Sequence, residues 1–377
     1  MKIVYLTTGL NMGGAEVMLY NLLSHIDRDR FEPTVISLMD KGVFGEQIEQ
    51  LGIPVHSAGM LVGKPSVSSI KKVVDLIKQA QPDLIQGWMY HGNLAAQFFN
   101  FVSGKKTPVL WSIHHSLHDL PSEKPLTQGI IRFGSWSSKY VSKVAYVSEK
   151  SKGQHQKLGY SEKNGCIIPN GFDISKFQPS QEIRQKFRQE LGISDDTFLI
   201  GSLARYHPMK DHANLLRAAK ILLEQSPQTK FVLVGTNVDR ENSALTDLIE
   251  ELGIGESIYL LGQRRDVPQI TPALDLLTSS SAFGEAFPLV IGEAMACGVP
   301  CVVTDIGDSG WIVGDTGRAV PPKNPKALAQ AWQEAIDLDP VAKAEKSSAA
   351  RKRIIENFAL DSIVSKYENI YQSVVSQ

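Results

Sequence analysis

Short apolar runs alternate along the chain with segments whose apolar residues recur at helical spacing. Such runs predict buried strands, and the segments between them predict helices. In the first half, strands are predicted at residues 3–6, 34–38, near 55, 84–86, 109–113 and 144–147, with helices from about 15, at 67–79 and at 91–101. Regular alternation of this kind predicts a parallel α/β sheet.

A second series of the same kind follows. Its predicted strands cover residues 198–203, 231–234, 258–260, 274–277 and 300–303. A Pro-Asn-Gly turn within residues 167–173 separates the two series and is the predicted domain boundary. The pattern therefore predicts two doubly wound Rossmann-like domains, residues 1–173 and 174–360, facing across a cleft, with a final helix from about 361 to 377.

Composition narrows the function classes. The 377 residues include 39 Lys or Arg and 40 Asp or Glu, so net charge gives no argument for nucleic acid. Residues 60–165, however, contain 14 basic and 6 acidic residues. This excess of positive charge would suit an anionic acceptor or an anionic membrane surface. A solvated protein surface is the alternative. Candidate membrane contacts are Lys71, Lys72, Lys105, Lys106 and residues 132–143 with Phe133, Trp136 and Tyr140.

The cysteines and the apolar runs of the sequence indicate in which cellular compartment the protein is expected. Cys166, Cys297 and Cys301 fit neither a disulfide framework nor a zinc pattern, which favours a reducing cytosol. The N-terminal apolar run is interrupted by Thr7 and Thr8 and is typical of a first strand, not a signal peptide. No apolar run approaches the length of a membrane span, so we expect any membrane contact to be peripheral.

Two glutamates carry the most informative motif. Glu285 and Glu293 flank the run 287–292, which predicts a loop turning into a helix with Pro288 in its first turn. The free amides of such a helix attract an anion, and acids on either side can bind hydroxyl groups. A nucleotide sugar is a diphosphate flanked by two polyols. An ordinary capped helix with surface acids is the alternative.

This stretch resembles the E-x7-E motif of the retaining glycosyltransferases of family 4, which have the GT-B fold. The resemblance implies that Glu285 contacts the transferred sugar and Glu293 the ribose. It also implies donor contacts from the residues between them: Phe287, Pro288, Leu289 and Val290. The C-terminal helix is implied to pack back on the first domain.

Two further loops fit a phosphate ligand. Arg205 and Lys210 lie five residues apart around a proline turn after a strand, and a guanidinium with an ammonium suits two phosphates. They resemble the family's R-x4-K pattern that holds the donor diphosphate.

Gly13 and Gly14 let the backbone approach a ligand. With Glu16 they resemble the family's G-G-A-E loop, which implies donor contacts from the glycines and an acceptor-side role for Glu16. A basic surface loop and a plain strand–helix turn remain the alternatives.

The remaining candidates lie at other strand ends. Arg264 follows the strand at 258–260, where the family often places nucleobase contacts. His114 best matches the family's strand-end histidine that faces the reacting sugar. His115 and His91 are further acceptor-side candidates. A neutral imidazole can accept a hydrogen bond from a sugar hydroxyl or polarise it.

A metal site would have to use His114, His115, His118 and Asp119. Adjacent residues of a strand point to opposite faces, which argues against shared ligation. We therefore expect no metal and no cofactor. Arg205, Lys210 and helix N-termini would neutralise the diphosphate instead.

The resemblance implies a cytoplasmic, metal-independent hexosyltransferase, acting in the cytosol or at the inner face of the membrane. It would move a sugar from a nucleoside diphosphate, UDP favoured, to a glycan, a lipid-linked glycan or another hydroxyl acceptor in polysaccharide biosynthesis. His114, Arg205, Lys210 and Glu285 would carry catalysis. Two alternatives stay open: a GT-B nucleotide-sugar epimerase, which would lack this combination of residues, and a non-catalytic partner subunit that binds the donor without turnover.

Overall fold

The chain forms two compact units. The computed structural model describes residues 1–11, 13–61, 66–104, 106–117, 120–121 and 123–376. Unit 1 contains Met1–Gly171 and Leu360–Gln377, and unit 2 contains Phe172–Ala359. The change from the first unit to the second falls at the predicted Pro-Asn-Gly turn, two residues before the boundary placed at 173.

Unit 1 contains a sheet of seven parallel strands in the order β3-β2-β1-β4-β5-β6-β7. The strands are β1 (Lys2–Thr7), β2 (Glu32–Ser37), β3 (Val55–Ser57), β4 (Leu84–Trp88), β5 (Val109–Ile113), β6 (Lys143–Tyr146) and β7 (Gly165–Ile167). The helices are α1 (Gly14–His25), α2 (Gly42–Gln50), α3 (Val67–Ala80), α4 (Met89–Val102), α5 (Pro125–Ser137) and α6 (Glu149–Lys157).

Two apolar layers cover this sheet. Side chains of α1 and α2 pack on one side, and those of α3, α4 and α5 pack on the other. The last helix of the chain, α14 (Leu360–Val375), joins the first layer through Ile363, Tyr367 and Tyr371. The end of the chain therefore completes the core of unit 1, although about 190 residues of unit 2 precede it.

Unit 2 contains six parallel strands in the order β10-β9-β8-β11-β12-β13. They are β8 (Leu199–Leu203), β9 (Lys230–Val234), β10 (Ile258–Leu260), β11 (Leu276–Ser279), β12 (Cys301–Thr304) and β13 (Arg318–Val320). The helices are α7 (Gln181–Glu190), α8 (His212–Leu223), α9 (Ser243–Leu252), α10 (Leu289–Ala296), α11 (Ser309–Val313), α12 (Pro325–Ile336) and α13 (Pro340–Phe358).

An ion-pair cluster fixes the amino-terminal side of this second sheet. Asp275, just before β11, accepts hydrogen bonds from Arg184 and Arg188 of α7 and from the amide of Leu199. Arg188 is 1% exposed, and a buried charge needs a partner. Asp275 and backbone carbonyl groups compensate it. The cluster joins α7 to two strands and belongs to the scaffold.

Within the described ranges, no helix is both long enough and apolar enough to cross a bilayer.

Candidate functional site

The second sheet reverses its direction of growth between β8 and β11. These strands are neighbours, although β9 and β10 separate them in sequence. In doubly wound sheets, ligands bind beyond the carboxyl ends of the strands at such a switch point. The loops that leave this point are residues 204–211 and 280–288, and they carry Arg205, Lys210 and Glu285.

An ion pair joins the two loops. Lys210 Nζ donates to Glu285 Oε1, and Ser281 Oγ donates to the same oxygen at 2.6 Å. Glu285 is 8% exposed and the Lys210 side chain 17%. Ser280 Oγ also donates to the main-chain carbonyl of Lys210 at 2.7 Å, so protein contacts hold both the Lys210 backbone and the Glu285 carboxylate.

Close backbone packing supports this pair. The Ala282 amide donates to the Met209 carbonyl at 2.8 Å, and Gly284 has a φ of +74°. A Cβ on Gly284 would lie 2.8 Å from Met209 Sδ. On the other side, a Cβ on Gly307 would lie 2.3 Å from the Glu285 carbonyl. Glycine at 284 and 307 thus permits the loops to meet closely around Glu285.

The two arginines proposed to bind the donor differ in whether their guanidinium groups already have protein partners. Arg205 is exposed and has no hydrogen-bond or ion-pair partner among the described residues. Arg264, in contrast, donates to both Asp266 oxygens at 2.7 and 2.8 Å and to Glu190 at 3.0 Å. These carboxylates raise the pKa of Arg264. The guanidinium of Arg264 is therefore committed to the protein, and the neighbouring backbone is the better candidate for a base contact.

Helix α10 follows Glu285 and begins one residue later than expected. Pro288 is its N-cap residue, and no side chain caps it. The amides of Leu289 and Val290 in its first turn can consequently face an anion. Phe287 is 5% exposed, and its ring stacks on that of Phe172 with centroids 6.0 Å apart, so its side chain serves packing.

Glu293 lies in the second turn of α10. Burial raises its pKa to about 7, and the charge of Lys176 acts in the opposite direction. No side chain of the described residues hydrogen-bonds its carboxyl group. Glu293 is only partly buried, and a carboxyl group with a raised pKa and no side-chain partner among the described residues is a candidate for ligand binding.

In unit 1 the corresponding switch point lies between β1 and β4. Gly13 is the N-cap of α1, and a Cβ on it would lie 2.2 Å from Glu16 Oε2. The Glu16 carboxylate thus folds over the start of its own helix, and burial raises its pKa. Trp88 Nε1 donates to the Ala15 carbonyl at 2.9 Å and so connects the end of β4 to α1.

The two adjacent histidines have different surroundings. The His114 ring stacks on Trp88 with centroids 4.4 Å apart, and its Nδ1 lies 2.9 Å from Asn170 Oδ1. Burial lowers the pKa of His114 to about 4. His115 Nε2 lies 2.8 Å from Glu123 Oε1.

His91, in the first turn of α4, is half-buried, and burial lowers its pKa. His118 and Asp119, the other members of the possible metal cluster, lie outside the described residues. Among those that are described, no three His, Cys, Asp or Glu side chains are arranged to hold a metal ion.

A large groove lies elsewhere, at the amino-terminal edge of the second sheet. Its volume is about 1300 Å³, and its lining includes Phe198, Leu274 and Pro300, which precede β8, β11 and β12. None of the predicted site residues lines it. Since ligands of doubly wound sheets bind at the opposite edge, we assign it no part in the chemistry.

Sequence reasoning missed two residues of these sites. Ser281 shares the Glu285 oxygen with Lys210, and Asn170 is the partner of His114. Asn170 was interpreted only as part of the boundary turn. The signal was its place just beyond β7, since the ends of β5 and β7 meet at the same edge of one sheet.

Comparison with known proteins identifies the family. The model of the glycosyl transferases group 1 matches residues 183–357, and that of Glycosyltransferase Family 4 matches residues 12–176. Together the two matches span most of both units. The chain belongs to the family 4 glycosyltransferases, and its two Rossmann-like domains are those of the GT-B fold.

Individual relatives agree with this class. Crystal structures of HepE from Anabaena, in complex with UDP and with UDP-glucose, superpose with TM-scores of 0.87 and 0.84 at 26% and 27% identity, covering 99% of this chain and 100% of theirs. The N-acetyl-alpha-D-glucosaminyl L-malate synthase of Bacillus anthracis is 27% identical over 72% of this chain and 69% of its own. An Escherichia coli UDP-Gal:alpha-D-GlcNAc-diphosphoundecaprenol alpha-1,3-galactosyltransferase is 28% identical over 55% and 54%.

Proposed function

We propose that this glycosyltransferase moves a hexose-type sugar from a UDP-sugar to a hydroxyl acceptor with retention of anomeric configuration. The Lys210–Glu285 pair carries the proposal, since it puts a cation and a hydroxyl-binding acid at the switch point of unit 2. The UDP and UDP-glucose complexes of HepE, which is similar over the whole chain, favour uridine as the base.

Each donor residue then has a chemical task. Arg205, which is free of partners among the described residues, and Lys210 would bind the diphosphate and stabilise the charge that develops on the leaving phosphate. The amides of Leu289 and Val290 would add hydrogen bonds at the start of α10. Glu285 would bind a sugar hydroxyl and Glu293 the ribose hydroxyls. In unit 1, Gly13 and Gly14 would let the backbone approach the phosphate.

Catalysis would rest on leaving-group stabilisation and orientation. The leaving phosphate oxygen would take the proton of the acceptor hydroxyl on the face of the sugar that the phosphate leaves, which retains the configuration. His114, whose lowered pKa keeps it neutral at pH 7, would accept a hydrogen bond from a hydroxyl of the transferred sugar. His91, His115 and Glu16 would lie on the acceptor side.

The test is a turnover assay with a panel of UDP-, GDP- and ADP-sugars and candidate acceptors. We expect release of UDP from one UDP-sugar, and proton NMR of the first product should show the anomeric configuration of the donor. An inverted product would contradict the proposed retention. Binding of UDP-sugars without turnover across a broad acceptor panel would favour the non-catalytic partner subunit.

Unit 1 has an exposed apolar surface that would suit contact with a membrane. Six apolar side chains on or next to α4 and α5 are half or more exposed: Phe98, Phe101, Leu126, Phe133, Trp136 and Tyr140. Helices α4 and α5 pack side by side, and exposed Arg132 and Lys139 accompany the aromatic residues. Aromatic side chains with basic neighbours suit the interface of an anionic bilayer. We therefore propose peripheral contact with the cytoplasmic membrane; Lys105 lies outside the described residues.

Co-sedimentation with vesicles tests this contact. The protein should bind vesicles that contain phosphatidylglycerol, bind pure phosphatidylcholine poorly, and lose binding as salt rises. The double variant Phe133→Ser/Trp136→Ser should bind less, whereas Val341→Ser, at a 68% exposed position of α13, should not. Equal binding of both lipids, or binding unchanged in the double variant, would contradict the proposal.

A further inference from the structure

Three contacts within unit 1 fix the position of His114. Its ring stacks on Trp88, its backbone amide donates to Met89 Sδ at 3.3 Å, and its Nδ1 meets Asn170 Oδ1 at 2.9 Å. Trp88 is fully buried, and Met89 has a φ of +61°, a strained value for a residue with a side chain. Strained residues of this kind cluster where a site must be held in one geometry.

Asn170 is itself held firmly. It is 4% exposed and lies in the turn after β7. The amide of the next residue, Gly171, donates to Met18 Sδ of α1. A Cβ on Gly171 would lie 2.8 Å from Leu360 Cα at the start of α14. Contacts from two helices thus hold the backbone next to Asn170, whose side chain reaches His114.

The geometry of this hydrogen bond decides the tautomer of His114. An amide oxygen only accepts, so with Asn170 Oδ1 facing it, Nδ1 of His114 would carry the proton. Nε2 then holds a lone pair. That atom is buried and has no partner among the described residues. An unsatisfied buried acceptor in a native structure points to a missing donor.

We propose that Asn170 is a positioning residue, which holds His114 in the Nδ1–H tautomer so that Nε2 is an acceptor for a hydroxyl group of the bound sugar. The proposal rests on the proposed function for the identity of the sugar. The tautomer itself rests on the contacts of unit 1. In a free histidine side chain the opposite tautomer, with the proton on Nε2, predominates, so the effect of Asn170 is measurable.

Kinetics test the positioning role. Asn170→Asp keeps an acceptor oxygen and should retain most of the activity. Asn170→Leu removes the oxygen and should lower kcat by about tenfold to a hundredfold, by analogy with the loss of a partner that orients a metal-bound histidine, with the donor KM little changed. Asn357→Leu, at an exposed position of α13, is the matched control. Equal kcat in Asn170→Leu and wild type would overturn the positioning role.

The decisive experiment is 15N NMR of the side chains of the nine histidines in the unliganded protein. His114 is assigned from the signal that His114→Gln removes. We expect a protonated Nδ1 and an unprotonated Nε2 in the wild type and in Asn170→Asp, and a shift toward the opposite tautomer in Asn170→Leu. A proton on Nε2 in the wild type overturns the proposal and needs no variant to fold. Failure to bind any UDP-sugar would instead count against the proposed function, because the tautomer is measured without ligand.

Discussion

Lys210 and Glu285 form an ion pair across the switch point of the second sheet. One residue follows β8 and the other follows β11, so the pair joins loops that are about 75 residues apart in sequence. It shields a carboxylate that is 8% exposed. The same two groups are the ones that a diphosphate and a sugar hydroxyl would need.

Removing only the lysine of this pair should destabilise the protein more than removing both charges. Lys210→Met leaves the buried Glu285 carboxylate with Ser281 as its remaining side-chain partner, and we expect a loss of about 1–3 kcal/mol in the free energy of unfolding. Adding Glu285→Gln should restore most of that stability, since the uncompensated charge is gone. Activity should stay lost in both variants. Urea unfolding and UDP release measure the two quantities, and a double variant no more stable than Lys210→Met would contradict this explanation.

Arg205→Ala should weaken donor binding strongly while leaving stability unchanged. Arg205 has no partner among the described residues, and a charge-assisted contact to phosphate contributes about 1.5–3 kcal/mol. This corresponds to about a tenfold to hundredfold weaker UDP affinity. Arg217→Ala removes the same charge from an exposed position of α8 and serves as control. Equal affinities for the two variants would remove Arg205 from the donor site.

Arg264→Ala should behave differently from Arg205→Ala. The Arg264 guanidinium is satisfied by Asp266 and Glu190 at a partly exposed position near the surface, where such pairs contribute about 0–1 kcal/mol. We expect little change in the melting temperature and less than a threefold change in the donor KM. Steady-state kinetics with the preferred donor check this, and a loss comparable to that of Arg205→Ala would return the side chain to the donor site.

The raised pKa of Glu293 predicts a pH dependence of stability. Its pKa in the folded protein is about 7, above the ordinary value of 4.5. Between these values the folded state keeps a proton that the unfolded chain releases, so the stabilisation present below about pH 4.5 is lost as pH rises through 7. Glu293→Gln stays neutral, and its melting temperature should therefore gain on the wild type as pH rises.

Scanning fluorimetry from pH 4.5 to 8 measures this difference. Glu250→Gln, at an exposed position of α9, is the matched control and should run parallel to the wild type. If the melting temperature of Glu293→Gln also ran parallel to that of the wild type across this pH range, the Glu293 carboxyl group would have an ordinary pKa.

Metal removal is the fifth test. In the proposed mechanism Arg205, Lys210 and the start of α10 would supply the positive potential that the leaving diphosphate needs, so we expect EDTA to leave UDP release nearly unchanged. Complete loss of activity in EDTA, restored by a divalent cation, would contradict this.

Much of the fold follows from local patterns. Strands β5 and β10 begin and end at the predicted residues because they are short apolar runs bounded by polar turns. Strand β11 was predicted two residues early, because Leu274 belongs to the apolar turn before the strand. Strand boundaries of this kind depend on pairing with neighbouring strands, which a local pattern does not contain.

The sites were predictable in part for the same reason. The residues of the motifs stand next to strand ends, and the switch-point rule brings Arg205, Lys210 and Glu285 to one edge. The direction of a side chain was not predictable: Arg264 turns to Asp266, two residues away, and to Glu190, which is distant in sequence. Asn170 was hidden for a similar reason, since its partner His114 lies 56 residues earlier.

The most direct test of the central claim is calorimetric titration of UDP, GDP and ADP into the wild type, Arg205→Ala and Arg217→Ala, each with and without EDTA. We predict that UDP binds the wild type and Arg217→Ala with equal affinity in both buffers, that Arg205→Ala binds it at least tenfold more weakly, and that GDP and ADP bind poorly. Equal binding of all three nucleotides, or of UDP by both variants, would contradict the assignment of a uridine-nucleotide donor site to unit 2.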